Sequence, residues 1–106
     1  MVAQLTTKTY TIAEYLDLES QVENRHEFIN GEILPMAGGT TNHNEIITNL
    51  CLLLKPTLRQ QKDKLYTENL RLFISEYKIF TYPDVMVIKG ESIYYSDSKT
   101  TITNPT

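Results

Sequence analysis

Asp84 stands directly after Pro83 and directly before an apolar run, Val85-Met86-Val87-Ile88. Proline fixes one backbone angle, so the carboxylate enters a buried strand from a stiff turn, at the edge of a core, where a hard divalent cation could be ligated. The same placement also suits a structural polar residue that closes a loop before a strand. The other polar candidates are Glu27 and Glu32, which flank Asn30-Gly31, His26, and the cluster Asn42-His43-Asn44. Alternating glutamates on a hairpin usually form a solvated face, and a histidine such as His26 is more often a surface or capping residue than a metal ligand. Asn42, His43 and Asn44 fall where a helix should start. They could hold a phosphate with help from exposed N–H groups and the positive end of the helix dipole, or simply cap the helix.

Several chemistries have no residues to support them. The sequence contains no Gly-rich phosphate loop and no nucleophile elbow, its single cysteine is Cys51, and His26 and His43 lie far apart in the chain. One cysteine cannot form an intrachain disulfide, and its place in the apolar run Cys51–Leu54 reads as a buried, inert thiol.

The elements that must position these residues follow from spacing. Residues 10 to 20 open with a capping-box pattern, Thr11 with Glu14 three positions on, and Tyr10 and Tyr15 stand where a hydrophobic staple would close. Residues 26 to 34 read as a β-hairpin around Asn30-Gly31. After Gly38-Gly39, Thr40 to Asn42 offer N-caps, and Ile46, Leu50, Leu53, Leu54 and Leu58 recur at helical spacing, which predicts the main core helix. Pro56 should kink that helix or restart it, because it removes a backbone bond and crowds the carbonyl of Leu52. From Tyr66 to Ile74 the period becomes two, predicting one half-buried strand with Leu70, Leu72 and Ile74 on one face and Asn69, Arg71 and Phe73 on the other. Residues 84 to 88 predict a central strand covered on both faces. From Glu91 to Thr106 the chain is rich in Ser and Thr around one Ile93-Tyr94-Tyr95 patch.

With 106 residues, 41% hydrophobic and 22% charged, the chain has the composition of a globular protein and room for one domain, residues 1–106, with one modest core. The longest apolar run falls far short of the roughly 20 residues of a membrane-spanning helix, and the first ten residues show no signal-peptide core, so the expectation is a cytoplasmic protein with no membrane partner. A net charge of −3 offers no broad footprint for nucleic acid, so any affinity for DNA must come from a local cleft or a metal.

Four stretches in order, TIAEYLDLE, RHEFINGEI, MAGGTTNHNEI and YPDVMVI, resemble the Uma-two family of restriction endonucleases in the PD-(D/E)XK nuclease superfamily. The resemblance runs from about Tyr10 to Ile88. It implies an α/β (α+β) fold, a restriction-endonuclease-like core with a mixed sheet and flanking helices. It also implies divalent-metal-dependent hydrolysis of DNA phosphodiesters. Asp84 would be a catalytic metal ligand and Glu27 a second acidic residue of the same Mg²⁺ or Mn²⁺ site; beside them, the helix-start reading makes His43, Asn44 and Asn42 the substrate-binding candidates. In that family a further strand with the second acidic residue follows a segment like Ile102 to Pro105, so this chain reads as the N-terminal portion of the domain, inactive alone. The competing expectations are a homo-oligomer, such as a dimer, joined through an exposed sheet edge, and a metal-independent nucleic-acid binder using Asn42 to Asn44 with Lys62, Lys64 and Arg71.

Overall fold

A computed structural model describes residues 9–67, 69–96 and 99–106. The first helix, α1 (Ile12–Gln21), starts as its sequence requires. The Thr11 side chain accepts from the Glu14 N–H at 3.1 Å and the Glu14 carboxylate accepts from the Thr11 N–H at 2.8 Å, satisfying two donors of the first turn. A hairpin follows, β1 (His26–Ile29) and β2 (Glu32–Pro35), in the register Phe28 opposite Ile33. Asn30 and Gly31 both take positive φ, +49° and +92°, as a two-residue turn between right-twisted strands demands. The Gly31 carbonyl accepts from Tyr10 N–H at 2.8 Å, which ties the turn to the start of α1. Gly31→Ala would force an L side chain to φ +92° and bring its Cβ to 3.2 Å from Thr9 Cβ. The expected loss is about 1–2 kcal/mol, read from the urea midpoint; an unchanged midpoint would refute this turn geometry.

The second helix, α2 (Thr41–Gln60), is followed by β3 (Lys64–Thr67), β4 (Arg71–Ile74), a short 3-10 turn at Ser75–Tyr77, β5 (Ile79–Thr81), β6 (Val85–Ile88) and β7 (Thr101–Ile102). Five strands form a mixed sheet in the order β2-β1-β5-β4-β7, antiparallel except for the parallel pair β4–β7, and β3 pairs with β6 in a separate two-stranded sheet. The fold is therefore α+β.

Phe28, Phe80 and Phe73 sit opposite one another across β1, β5 and β4, and Tyr15 of α1 lies over this row, with ring centroids 5.2 Å from Phe28 and 5.3 Å from Phe80. On the other face, Leu72 meets Met86 and Ile88 of β6 and Ile102 of β7 in a second core. The sheet is thus covered by a helix on one side and a two-stranded ribbon on the other.

Five sequence expectations need correction. The stretch Tyr66 to Ile74 is two strands in two different sheets: β3 ends at Thr67 and β4 begins at Arg71. The side-chain alternation within β4 holds, but Phe73 stacks on Phe80 at 4.4 Å, so both faces are covered rather than one. The strand after Asp84 is not central; β6 has β3 as its strand partner, and its apolar run reflects Met86 and Ile88 packing inward while Val85 and Val87 are half-buried. The helix α2 runs unbroken through Pro56. Pro56 and Leu52 are both exposed there, so water can satisfy the carbonyl that loses its donor. Nor is α2 the main core helix on the expected stripe: Ile47 is its buried residue, half-buried neighbours His43, Cys51, Leu54 and Leu58 continue that seam, and Ile46, Leu50 and Leu53 lie outside it, with Leu53 76% exposed. Cys51 is accordingly half-buried rather than buried. Among the described residues no helix is long and apolar enough to cross a membrane.

Candidate active site

The backbone ladders of the two sheets part at Tyr82-Pro83-Asp84. Thr81 is the last paired residue of β5 and Val85 the first of β6. Asp84 therefore sits where the chain crosses from one sheet to the other. It meets α2 there. Thr40 caps that helix through its side chain, accepting from His43 N–H at 3.1 Å, and this fixes the backbone from which the imidazole extends. His43 Nε2 lies 3.2 Å from Asp84 Oδ2, and both side chains keep contact with solvent, 42% and 55% exposed. A contact this open contributes little to stability, and it leaves a carboxylate oxygen and an imidazole nitrogen side by side at the cleft.

The pair lines a cleft of about 310 Å³. Its other walls are Arg25 and Met36 at the open end of the hairpin, joined by the bond from Met36 N–H to the Arg25 carbonyl, the Gly38-Gly39-Thr40 approach to α2, and Tyr82. The Arg25 guanidinium lies over the Tyr82 ring, 5.3 Å from its centroid, in a cation–π arrangement.

Of the residues singled out from sequence, the structure brings His43 and Asp84 together. Glu27 does not line this cleft. Its carboxylate accepts a hydrogen bond from the Thr81 hydroxyl, and continuing the β1–β5 register places both on the face of the sheet against which β6 packs. Asn42 and Asn44 are exposed in the first turn of α2, and Asn44 borders a separate shallow cleft with Glu45 and Thr48. Glu32 is exposed. His26 points elsewhere, its Nδ1 2.8 Å from the Glu19 carboxylate. Among the described residues no three of His, Cys, Asp and Glu gather as a metal cluster. The donors in the cleft, one carboxylate and one imidazole, still suit a divalent ion that keeps most of its shell as water.

A set of residues around Tyr82 was not anticipated. The Tyr82 hydroxyl donates to Glu19 Oε2 at 2.7 Å and accepts from Arg71 Nη1 at 3.4 Å, and Arg71 Nε donates to Thr101 Oγ1 at 2.8 Å. Glu19 also takes the His26 backbone N–H at 3.0 Å, and its side chain is 3% exposed. One signal for it was present: Ile12, Tyr15, Leu16 and Glu19 share one helical stripe, so a carboxylate occupies a core-facing position.

The α+β frame, a mixed five-stranded sheet with two helices, is consistent with a restriction-endonuclease-like fold. The chain belongs to the Uma2 family, whose model, described as "Putative restriction endonuclease", matches residues 12–106. It is similar to the uncharacterized protein sll1609 of Synechocystis sp. (strain ATCC 27184 / PCC 6803 / Kazusa), 41% identical over 105 residues, which make up 99% of this chain and 59% of that protein. It is also similar to the uncharacterized protein slr1290 of the same organism, 32% identical over 74 residues, 70% of this chain and 39% of that one. The chain thus spans less than two-thirds of the length of either curated relative.

Proposed function

We propose that this chain carries part of the active centre of a divalent-metal-dependent DNA endonuclease, with Asp84 as its metal-binding carboxylate, acting in the cytoplasm. The observation that supports this reading is the His43–Asp84 pair, 3.2 Å apart, open to solvent in a cleft walled by Arg25 and a helix start. A divalent ion, Mg²⁺ or Mn²⁺, would supply the polarisation of the phosphodiester and the lowered pKa of a bound water. The chain's own residues bind and orient. Asp84 offers a carboxylate oxygen, and His43 holds that carboxylate in place or turns Nε2 toward the ion; a site with one nitrogen donor suits Mn²⁺ better than Mg²⁺. Arg25 can make charge-assisted bonds to a phosphate lying in the cleft, while Asn42 and Asn44, exposed on the first turn of α2 outside this cleft, would be left to the nucleic-acid backbone beyond it. Glu27, on the β6 side of the sheet, is the reserve carboxylate of this reading. With one carboxylate and one imidazole in the cleft, we expect weak metal binding and no cleavage by these residues alone.

The test is a Mn²⁺ titration of the chain followed by calorimetry, with plasmid and single-stranded DNA assayed in parallel. Asp84→Ala is expected to abolish the binding. Binding that survives Asp84→Ala would remove Asp84 from the site. Metal-dependent cleavage that Asp84→Ala abolishes would show that residues outside this cleft complete the centre, across a dimer or elsewhere in the chain. DNA binding that needs no metal and falls steeply with salt would favour the plain nucleic-acid binder, although Arg71 is turned inward to Tyr82 and Thr101 and Lys64 lies 3.9 Å from Glu91. Self-association has a surface to use, the exposed row Ile46, Leu50 and Leu53 of α2, and sedimentation velocity would detect it.

A further inference from the structure

Tyr82 is fixed from several directions at once. Its hydroxyl donates to Glu19 of α1 and accepts from Arg71 of β4, while its ring carries the guanidinium of Arg25 from the segment before β1. Glu19 is in turn held by both the backbone N–H and the ring of His26, and Arg71 by Thr101 of β7. Two residues on from Tyr82, Asp84 lies between the ladders of β5 and β6, and Pro83 removes one of the few rotations between ring and carboxylate. A buried carboxylate is costly unless its lone pairs are filled, and those of Glu19 are filled by the Tyr82 hydroxyl and by the backbone N–H and ring of His26. A link that needed only to be buried would be met by phenylalanine; the hydroxyl adds direction.

We infer that Glu19 and Tyr82 are positioning residues for Asp84: the Glu19–Tyr82 bond sets the Pro-Asp turn so that the Asp84 carboxylate faces His43. The metal arm of the test rests on the reading proposed above; the metal-free arm does not.

The chain has two histidines, His26 and His43, so its ring signals can be followed individually by NMR. Without metal, at one neutral pH, Tyr82→Phe is expected to move the His43 ring signals at least halfway toward their position in Asp84→Asn, while the Ile102 methyl signals stay where they are. Glu19→Gln keeps the shape but one oxygen acceptor fewer for Tyr82 and His26 to share, and should shift His43 the same way. It serves as the second variant should Tyr82→Phe lose its folded dispersion. With Mn²⁺, paramagnetic broadening of His43 should require about tenfold more ion in either variant, the usual scale for losing a supporting group behind a metal ligand. Native His43 signals in a folded variant without metal would overturn the inference. Mn²⁺ that leaves His43 sharp in the unmodified chain would instead overturn the metal reading, with the positioning decided by the metal-free shifts.

Discussion

Replacing Phe80 with alanine should cost about 3–5 kcal/mol, the range for deleting a buried aromatic side chain whose neighbours cannot close the gap. Phe80 is fully buried on β5, the middle strand of the five. Its ring touches four others, stacked on Phe73 at 4.4 Å, tilted on Tyr15 at 5.3 Å, and edge-on to Tyr95 at 5.5 Å and Phe28 at 6.1 Å. Those on α1, β1 and β4 cannot move inward without breaking their own helix or ladder, and Tyr95, in the segment before β7, is tied by its N–H to the Thr101 carbonyl at 3.0 Å. Each pair also carries about 0.5–1.5 kcal/mol beyond its buried area, lost together with the ring. Stabilities of ordinary domains run to about 5–15 kcal/mol, so the variant should unfold at much lower urea. Leu53→Gln on the exposed side of α2 is the matched control, with an expected change within about 0.5 kcal/mol. A Phe80→Ala midpoint as close to native as that of the control would rule out this aromatic centre.

The sequence was most legible where the determinant is local. Thr11 and Glu14 mark a helix start because both bonds close within one turn, and Asn30-Gly31 marks a hairpin because its two angles are needed there and nowhere else nearby. Asp84 could be picked out by its immediate neighbours, Pro83 and an apolar strand. What failed was partner choice. Period two from Tyr66 to Ile74 correctly sorted the faces of β4, yet periodicity does not say which strand lies alongside, and the two halves of that stretch joined different sheets. The same limit applied to α2, where eight or more apolar residues offered two adjacent stripes and only packing decided that the one through Ile47 turns inward. Ile102, fully buried beside Leu72, looked like part of a Ser/Thr-rich tail because its parallel partner lies some thirty residues earlier. In the site, His43 and Asp84 were each legible as candidates, but their meeting depends on how the β5–β6 crossing falls against the start of α2. Glu19 and Tyr82 were missed for a different reason: each looks ordinary alone, a glutamate on a helix and a tyrosine before a proline, and their meaning lies in the bond between them.

Above about pH 10 the chain should lose stability steadily, and Tyr15 should account for a definable part of the loss. Tyr15 is fully buried under the sheet and donates to the His26 carbonyl at 2.6 Å. Burial, with the nearby Tyr82 and Glu19 and against the opposing pull of Arg71, pushes its pKa far above the ordinary value of 10.0; Tyr82 is shifted the same way, first by burial. The sign follows from proton counts. Once the pH passes the unfolded value, the unfolded chain releases these protons while the folded chain keeps them, so the folded state is the more protonated one and stability falls as pH rises. For one such group the slope is about 1.4 kcal/mol per pH unit, present in full above roughly pH 11 and absent below about pH 9. Urea midpoints collected from pH 8 to 11.5 for the native chain and for Tyr15→Phe would isolate it, because lysines and the remaining tyrosines are common to both. Tyr15→Phe should begin less stable at neutral pH, having lost the bond to His26, and then decline less steeply, so that the two curves converge as the pH rises. Parallel curves across that range would mean that the Tyr15 hydroxyl reaches solvent, which would open the packing of α1 on the sheet and with it the anchorage of Glu19 behind the Asp84 turn.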